Sequence, residues 1–501
     1  MTVFLGIDLG AGSMKVSVVS ESARVIGEAA ASVSTVSLHS GWAEQDPQEW
    51  RKAMIATIPA ALADASVNTN DVASISFCAG AHSFVLEDCN GKILRPAMMW
   101  MDQRSAGIAA EMKASSFDLI YTKALNTPAA TWTLPQLAWL SRNEPTIVDK
   151  VARVYMAKDW LRYQLSGDWH TDLTDAIGTM LYDVPAARWS SQICAISNWN
   201  PETLPPVVQA TNITGETLKG HCEVFSLPPG IPIVCGSSDT AVETLAGGGI
   251  KVGDATVKLA TAGTVSVVSE CAASNPTLIN YPYVMPELWY IISGTNSCAS
   301  AHRWYCDMLY GDGSLGNLVD MDTDILTSPA GAKGLLFHPY LRGERAPYWE
   351  PRLRADFVGM TFEHDRADLS RAIYEGISFS LRDVMTDFNS NGISFDTARI
   401  IGGGAKSEAW RQIVADILDI QIVEAVEADA SFGAAILGGV GTGHFSSAAD
   451  AMAQRMGGQK KYSPNSANRQ LYDDLFGIYR DTQSALQPIN FRLHALQEGT
   501  P

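Results

Sequence analysis

The chain has no excess of positive charge, no paired cysteines and no long apolar run, and each lack removes a class of function. Its 36 lysines and arginines face 54 aspartates and glutamates, a net charge of −18. That balance argues against nucleic acid or an anionic membrane as partner, since both demand a basic footprint. A polyphosphate stays possible, because backbone N–H groups and a divalent cation can supply the local positive field. The eight cysteines (78, 89, 194, 222, 235, 271, 298 and 306) form no Cys-x-x-Cys pair and no Cys/His ligand spacing. They read as reduced core thiols. No apolar stretch approaches the ~20 residues that span a bilayer. The start, Met1-Thr-Val-Phe-Leu-Gly-Ile-Asp8, lacks the basic segment of a signal peptide and meets an acid early. A soluble, cytoplasmic protein is expected. Two phosphate motifs are also missing. Gly10-x-Gly12 has no third glycine, and no Gly-x4-Gly-Lys-Ser/Thr occurs.

What is present is an α/β pattern. At 501 residues, with 46% hydrophobic and 18% charged residues, two or more well-packed domains are expected. Val3 to Ile7 reads as a buried strand, Asp8 to Gly12 as a turn, and Met14 to Val19 as the returning strand. A second hairpin of the same kind runs from Ala255 through Thr261-Ala-Gly263 to Val268, about half the chain later, which suggests two related lobes. Asp46-Pro47 opens a helix toward Ala63. Ala73 to Cys78 reads as a strand, Thr133 to Leu165 as largely helical, Ala367–Asn389 as a long helix and Arg399 to Ile401 as a strand. Helices follow over Ser407 to Leu418 and Phe432 to Val440, then a polar helical tail beyond Gly457. Strand–helix alternation throughout places the chain in the α/β class. No low-complexity linker separates the lobes.

Asp239 is the most informative residue. It follows the apolar run Ile231 to Val234 and a Gly-Ser-Ser turn, so its carboxylate belongs at a strand end. Taken alone it reads as an N-cap for the helix beginning at Thr240, and the capping and catalytic roles can coexist. Three glycine-bearing turns accompany it. Gly10, Ala11, Gly12 and Ser13 form a hairpin tip whose N–H groups can wrap a phosphate, with Asp8 placed to hold Mg²⁺; an ordinary Gly-rich turn capped by an acid fits as well. Thr261, Ala262 and Gly263 make a phosphate turn or simply allow close strand packing. Gly402-Gly-Gly-Ala-Lys406 joins a strand to a helix with three glycines, which lets backbone approach a flat ring or a phosphate. His82 is a sugar ligand or a satisfied structural histidine. Trp100, Asp102 and Arg104 alternate; in a strand they share one face suited to a polyol. The competing picture is a core Trp beside a surface Asp–Arg pair.

In order along the chain these elements resemble the FGGY family of carbohydrate kinases, and within it the xylulokinase group. The matching stretches include Gly6-Ile-Asp-Leu-Gly10, Gly41-Trp-Ala-Glu-Gln-Asp-Pro47, Trp100-x-Asp-x-Arg104 and Lys158-Asp-Trp-Leu-Arg-Tyr-Gln-Leu-Ser-Gly167. They continue with Thr171-Asp-Leu-Thr-Asp-Ala-Ile-Gly178, Gly236-Ser-Ser-Asp-Thr-Ala241, Arg342-Gly-Glu-Arg-Ala-Pro347, Gly359-Met-Thr-Phe362 and Gly402-Gly-Gly-Ala-Lys-Ser-Glu-Ala-Trp410. A single stretch is weak; the ordered set, spanning roughly residues 3 to 445, is specific. The resemblance implies two actin-like, ribonuclease-H-type lobes with ATP and sugar in an interlobe active-site cleft. It implies residues 1–246 as the N-terminal lobe, 247–490 as the C-terminal lobe and 491–501 as a tail.

By position it implies Asp239 as general base, Asp8 as the acid that organises Mg²⁺, Gly10 to Ser13 and Thr261 to Gly263 as phosphate loops, and Gly403, Gly404, Ala405 and Lys406 as the adenosine loop. Ala81 and His82 fall where the group holds its sugar, with Trp100, Asp102, Arg104 and Thr240 as further substrate-binding candidates. The implied reaction is ATP-dependent phosphorylation of D-xylulose to D-xylulose 5-phosphate, with a homodimer as the family's habit. Three departures bear on the substrate. Cys78-Ala-Gly-Ala-His-Ser83 replaces the group's Ser-Gly-Gln-Met-His-Gly, Thr240 stands where Asn is usual, and Ala11-Gly12 replaces hydroxyl residues. Another ketopentose or a linear polyol (ribulose, ribitol, erythritol) is the alternative acceptor. From other classes, an actin- or chaperone-like ATP switch and a sugar-sensing pseudoenzyme are the rivals. No role is assigned to Arg342–Pro347.

Overall fold

The computed structural model describes residues 1–311, 314–427 and 429–498. The chain divides into two compact units. The first comprises Met1–Lys251, Ser269–Tyr290 and Val426–Gly457, and the second comprises Val252–Val268, Ile291–Ala425 and Gly458–Pro501.

The first unit is built on a six-stranded sheet in the order Ile213–Glu216, Pro232–Ser238, Val72–Ala79, Val3–Leu9, Ser13–Ser20, Val25–Ser32. Val3–Leu9 and Ser13–Ser20 form the expected hairpin, pairing Ile7 with Val16 and Leu9 with Met14. Val72–Ala79 runs parallel to Val3–Leu9, and Pro232–Ser238 runs parallel to Val72–Ala79. The central strand is apolar almost without a break because both its faces are covered: Val3, Phe4, Leu5, Ile7 and Leu9 are all buried. On one face lies helix Pro47–Asp64, N-capped by the Asp46 carboxylate, with Trp50, Met54 and Ile58 in the core. Helix Ala430–Gly441 lies on another side and touches the central strand at Gly6, where an added Cβ would sit 1.7 Å from the Ser431 carbonyl oxygen. Only glycine allows that approach.

The second unit repeats the scheme. Ala255–Leu259 and Gly263–Ser269 form a hairpin that pairs Leu259 with Gly263. Thr397–Ile401 runs parallel beside Ala255–Leu259, Gln421–Glu424 runs parallel beside that, and Lys461–Tyr462 closes antiparallel. Helices Arg366–Ser390, Glu408–Leu418 and Arg469–Glu498 are among its helices, the first opened by a reciprocal capping box between Asp365 and Asp368.

Three sequence expectations change. The stretch Thr133 to Leu165 is not continuously helical: strand Arg153–Met156 separates helices Thr133–Asn143 and Pro145–Val148 from helix Ala157–Ser166. Its apolar residues fit either period, and pairing with Phe84–Glu87 decides for the strand. Trp100 to Arg104 is a turn, since the preceding strand ends at Met98. Asp239 is the first residue of helix Asp239–Gly247, and Ser238 occupies the N-cap position. No helix among the described residues is long and apolar enough to cross a membrane.

Candidate active site

Three parallel strands of the first unit end together, and their carboxyl ends carry the candidate residues: Asp8 on Val3–Leu9, Gly80 to His82 after Val72–Ala79, and Asp239 after Pro232–Ser238. This edge is where open α/β sheets bind ligands. The strand leading to Asp239 is bulged. Its register against Val72–Ala79 shifts between Val234 and Ser237. Gly236 sits at φ +76°, and a Cβ there would lie 1.9 Å from the Phe77 carbonyl oxygen. Such a bulge re-aims the residues that follow it.

Asp239 is held in one orientation. Its Oδ1 accepts from the Thr240 backbone N–H at 2.6 Å and from the Thr240 hydroxyl at 3.1 Å. Its Oδ2 lies toward Gly80, 3.8 Å from where a Cβ would be, and the same point is 3.0 Å from Cδ1 of Trp100. Glycine at 80 therefore keeps the space between indole and carboxylate open. Trp100 is 40% exposed, so neither expected picture of the 100–104 segment holds intact. Asp102 and Arg104 do not share a face with it. Both are buried and paired to each other; Asp102 also accepts from the Ala43 N–H, while Arg104 reaches Glu44 and lies 3.6 Å over the Trp42 ring. That pair braces the turn from behind.

Asp8 accepts from the Cys78 thiol at 3.3 Å. Burial, then the neighbouring Asp239 carboxylate, raises its pKa to about 8; the Cys78 bond opposes the shift, and Asp429 and Glu243 add to it. Asp429 N-caps helix Ala430–Gly441 and pairs with Lys15, the residue opposite Asp8 in the hairpin. Lys15 escaped the sequence reading although it follows the glycine turn by three residues. The turn itself is closed by a Gly10 N–H to Ser13 carbonyl bond of 2.9 Å, and Gly12 has no atom within 4 Å of a would-be Cβ. The space beside its Cα is open, while its carbonyl accepts from the Val33 N–H at 3.0 Å. Ala11 contributes its carbonyl to Gln45, and Ser13 begins the returning strand. Among the described residues no group of three or more His, Cys, Asp or Glu side chains is arranged to hold a metal ion. One desolvated carboxylate beside other acids does fit Mg²⁺, which takes one or two carboxylates and fills its shell with water and phosphate oxygens.

His82 is buried at φ +71°, a left-handed conformation that histidine tolerates better than most residues. Nδ1 lies 2.7 Å from the Gly178 carbonyl and Nε2 lies 2.9 Å from the Tyr281 hydroxyl. Donation from Nδ1 to the carbonyl leaves Nε2 to accept from the tyrosine. Burial lowers the imidazole to about 4, against the Gly178 bond, so the ring is neutral. Trp132 packs 4.5 Å from it, and Tyr281 stacks between Trp132 and Tyr290. The tyrosines come from a segment some 200 residues away, which is why no local pattern revealed them. Ala81 is partly exposed beside His82, and Thr240 spends both its donors on Asp239.

The second unit carries the other two loops. Around Thr261, Ala262 and Gly263 the carbonyls point inward: Ala260 and Thr261 accept from Ala299, Cys298 and Ser300, and Gly263 accepts from Thr295. Gly294 packs so closely that a Cβ on it would be 2.3 Å from the Gly263 oxygen. The sequence stretch without an assigned role braces this point. Glu344 accepts from the N–H groups of Asn296 and Arg345, and Arg345 donates through Nε to the Gly294 carbonyl. In the last loop Gly402 and Gly404 are glycines for internal reasons, being pressed against Leu259 and the Trp410 ring. Gly403 has nothing within 4 Å of a Cβ. Ala405 is buried and Lys406 exposed, and both lie in the short 3-10 turn that leads into Glu408–Leu418.

Comparison with known proteins identifies the family. Residues 3–246 match the N-terminal domain of the FGGY family of carbohydrate kinases, and residues 256–442 match its C-terminal domain. A xylulose kinase of Staphylococcus epidermidis is 30% identical over 482 residues, covering 95% of each chain. A gluconokinase of Bacillus subtilis is 28% identical and covers 99% of this chain and 98% of its own. The crystal structure of a xylulose kinase from Brucella ovis superposes with a TM-score of 0.89 at 28% identity, covering 97% of this chain and all of that one. The chain therefore belongs to the FGGY family of carbohydrate kinases, as a xylulokinase-like enzyme that phosphorylates a sugar.

Proposed function

We propose that the enzyme transfers the γ-phosphoryl group of ATP to a hydroxyl of D-xylulose, giving D-xylulose 5-phosphate and ADP. The observation that carries this reading is Asp239: one carboxylate oxygen is fixed by Thr240 and the other faces the gap kept open by Gly80 beside Trp100. A base fixed in this way is suited to take the proton of a hydroxyl as its oxygen attacks the γ-phosphorus and the bond to the β-phosphate oxygen breaks. The open space beside Gly12 supports Gly10 to Ser13 as a phosphate loop, the inward-tied carbonyls support Thr261 to Gly263 as a second, and the space at Gly403 supports Gly403 to Lys406 as the adenosine loop. Mg²⁺ brought with the nucleotide would be held by Asp8, directly or through water, and neutralises phosphate charge. Ala81, His82 and Trp100 are assigned to the sugar. Asp102 and Arg104 act at one remove, by holding the Trp100 turn. The name of the S. epidermidis relative supports D-xylulose.

A second acceptor class has its own support. Thr240 is shorter than the usual Asn and donates only to Asp239, and a gluconokinase is nearly as similar as the xylulose kinases. Another ketopentose, a linear polyol or an aldonate is thus the competing substrate. The test is coupled ADP release with Mg-ATP against ketopentoses, pentitols, tetritols, gluconate and glycerol, with Asp239→Ala alongside. D-xylulose should give the highest kcat/KM and the variant should abolish turnover. Equal ATP consumption without any sugar would overturn the reading in favour of an ATP switch.

A further inference from the structure

Behind the site lies a fully buried charge lattice that the proposed chemistry does not use. Lys158 is inaccessible to solvent and contacts Asp159, Asp172 and Asp175 at 2.6, 3.0 and 3.1 Å. Burial alone would lower its ammonium, yet the three carboxylates raise it well above its ordinary value. Arg162, equally buried, contacts Asp159 and Asp168 and donates to the backbone carbonyl of Cys235 at 3.0 Å. Charges taken this far from water are kept only at a cost, and packed apolar residues would often serve stability as well. Such a lattice calls for a reason beyond stability.

The contacts supply one. The bulged strand end that delivers Asp239 is gripped twice from this side: Arg162 holds the carbonyl of Cys235, and Asp172 accepts from the Ser237 hydroxyl at 2.8 Å. The same Asp172 oxygen caps helix Leu173–Gly178 through the Thr174 N–H at 3.1 Å. That helix ends at the Gly178 carbonyl, which fixes His82. One carboxylate thus ties the base's strand to the anchor of the histidine assigned to the sugar, through two short rigid connections.

We infer that Asp172, held by Lys158 and joined to Ser237, is a positioning residue that sets Asp239 in register with His82. It touches neither substrate nor nucleotide. Removing the Ser237 link should shift the base relative to the sugar without altering the groups assigned to ATP. Misplacement near 1 Å costs roughly 100-fold in rate, so a partial slip predicts a loss of about 10-fold or more.

The inference rests on the proposed roles of Asp239 and His82. The experiment compares Ser237→Ala, Ser237→Thr, Asp172→Asn and Asp239→Ala by steady-state kinetics with the accepted sugar, together with melting temperature. Lys158→Met is left aside because it strands the buried acids Asp172 and Asp175 and threatens folding. Ser237→Ala should lower kcat about 10-fold with KM for ATP unchanged and the melting temperature nearly unchanged. Ser237→Thr, which keeps the hydroxyl, should restore most of the rate, and Asp172→Asn should fall at least as far as Ser237→Ala. A folded Ser237→Ala enzyme within twofold of wild type, beside an inactive Asp239→Ala, overturns the positioning role alone. Equal loss in Ser237→Thr and Ser237→Ala also overturns it, pointing to packing. Turnover surviving in Asp239→Ala overturns the underlying assignment of the base, and the inference with it.

Discussion

Replacing Asp8 by Asn should make the protein more stable, and increasingly so as pH rises. The folded state holds the Asp8 proton up to about pH 8, whereas the unfolded chain releases it near its ordinary value of 3.8. The folded state therefore binds more protons across that window, and wild-type stability falls as pH rises from about 3.8 to about 8, with no further loss above. Asparagine does not titrate, keeps an acceptor for the Cys78 thiol and removes the repulsion from Asp239. At about 1.4 kcal/mol for each pH unit of the window, the ceiling is about 6 kcal/mol. Asp8 keeps some exposure, and solvent screening reduces this to roughly 3 kcal/mol. For a domain of this size that corresponds to about 6 °C or more in melting temperature at pH 9 and little near pH 4. Thermal unfolding of both proteins at pH 5, 7 and 9 in EDTA measures the difference, in which the other titrating groups cancel. A gain that does not grow with pH, or a loss at every pH, refutes the reasoning. Catalysis should move the other way, since an acid kept at a cost in stability is the mark of a site retained for function.

Asp239→Ala should lower sugar-dependent ADP release by roughly 10²–10⁴-fold while leaving the melting temperature close to wild type. Arg104→Ala should cost about 3–5 kcal/mol, because it leaves Asp102 buried without its cation while Glu44 keeps only Arg95, and urea denaturation would detect this before any change in KM for sugar. Gly403→Ala should fold normally, since its Cβ meets nothing, yet raise KM for ATP. Gly404→Ala should destabilise outright, its Cβ lying 2.7 Å from the Trp410 ring.

Much of the architecture was legible because it is written in local patterns. The alternation from Met14 to Val19 and the turn at Asp8 to Gly12 specify a hairpin, and the structure pairs Leu9 with Met14 as that pattern requires. The cap at Asp46 and the proline at 47 located the first long helix to within a residue or two. Where two periods fit the same apolar residues, local pattern failed: Val154 and Met156 suit a helix face until Phe84–Glu87 supplies a strand partner. Alternation also misled at Trp100 to Arg104, where the buried Asp102 carboxylate bonds its own chain at Arg104 and so turns it. The site was legible in its acids and glycine turns and not in their settings. Tyr281, Tyr290 and Asp429 reach Asp8, His82 and Asp239 from segments far along the chain, and Glu344 and Arg345 gave no sign of which backbone groups they would hold.

The hairpin is repeated in the two units. Asp8 stands one residue before the end of its strand, and Lys258 stands one residue before the end of the equivalent strand in the second unit. Asp8 faces Lys15 across its hairpin, and Lys258 faces Thr264 across its own. In both units a parallel neighbour then delivers a glycine-bearing loop, Gly80 to His82 in one and Gly402 to Lys406 in the other. The scaffold is the same, and one position on it bears an aspartate in the first unit and a lysine in the second. Backbone donors at a turn serve phosphate whatever the side chains are, so both copies can keep that task. Proton abstraction needs a carboxylate held at a fixed place, and the third parallel strand of the first copy is bulged and leads directly into Asp239. With Asp239 as the proposed base, the two units would divide the labour by what each adds to a common hairpin, and the buried lattice around Lys158 lies in the unit that carries that carboxylate.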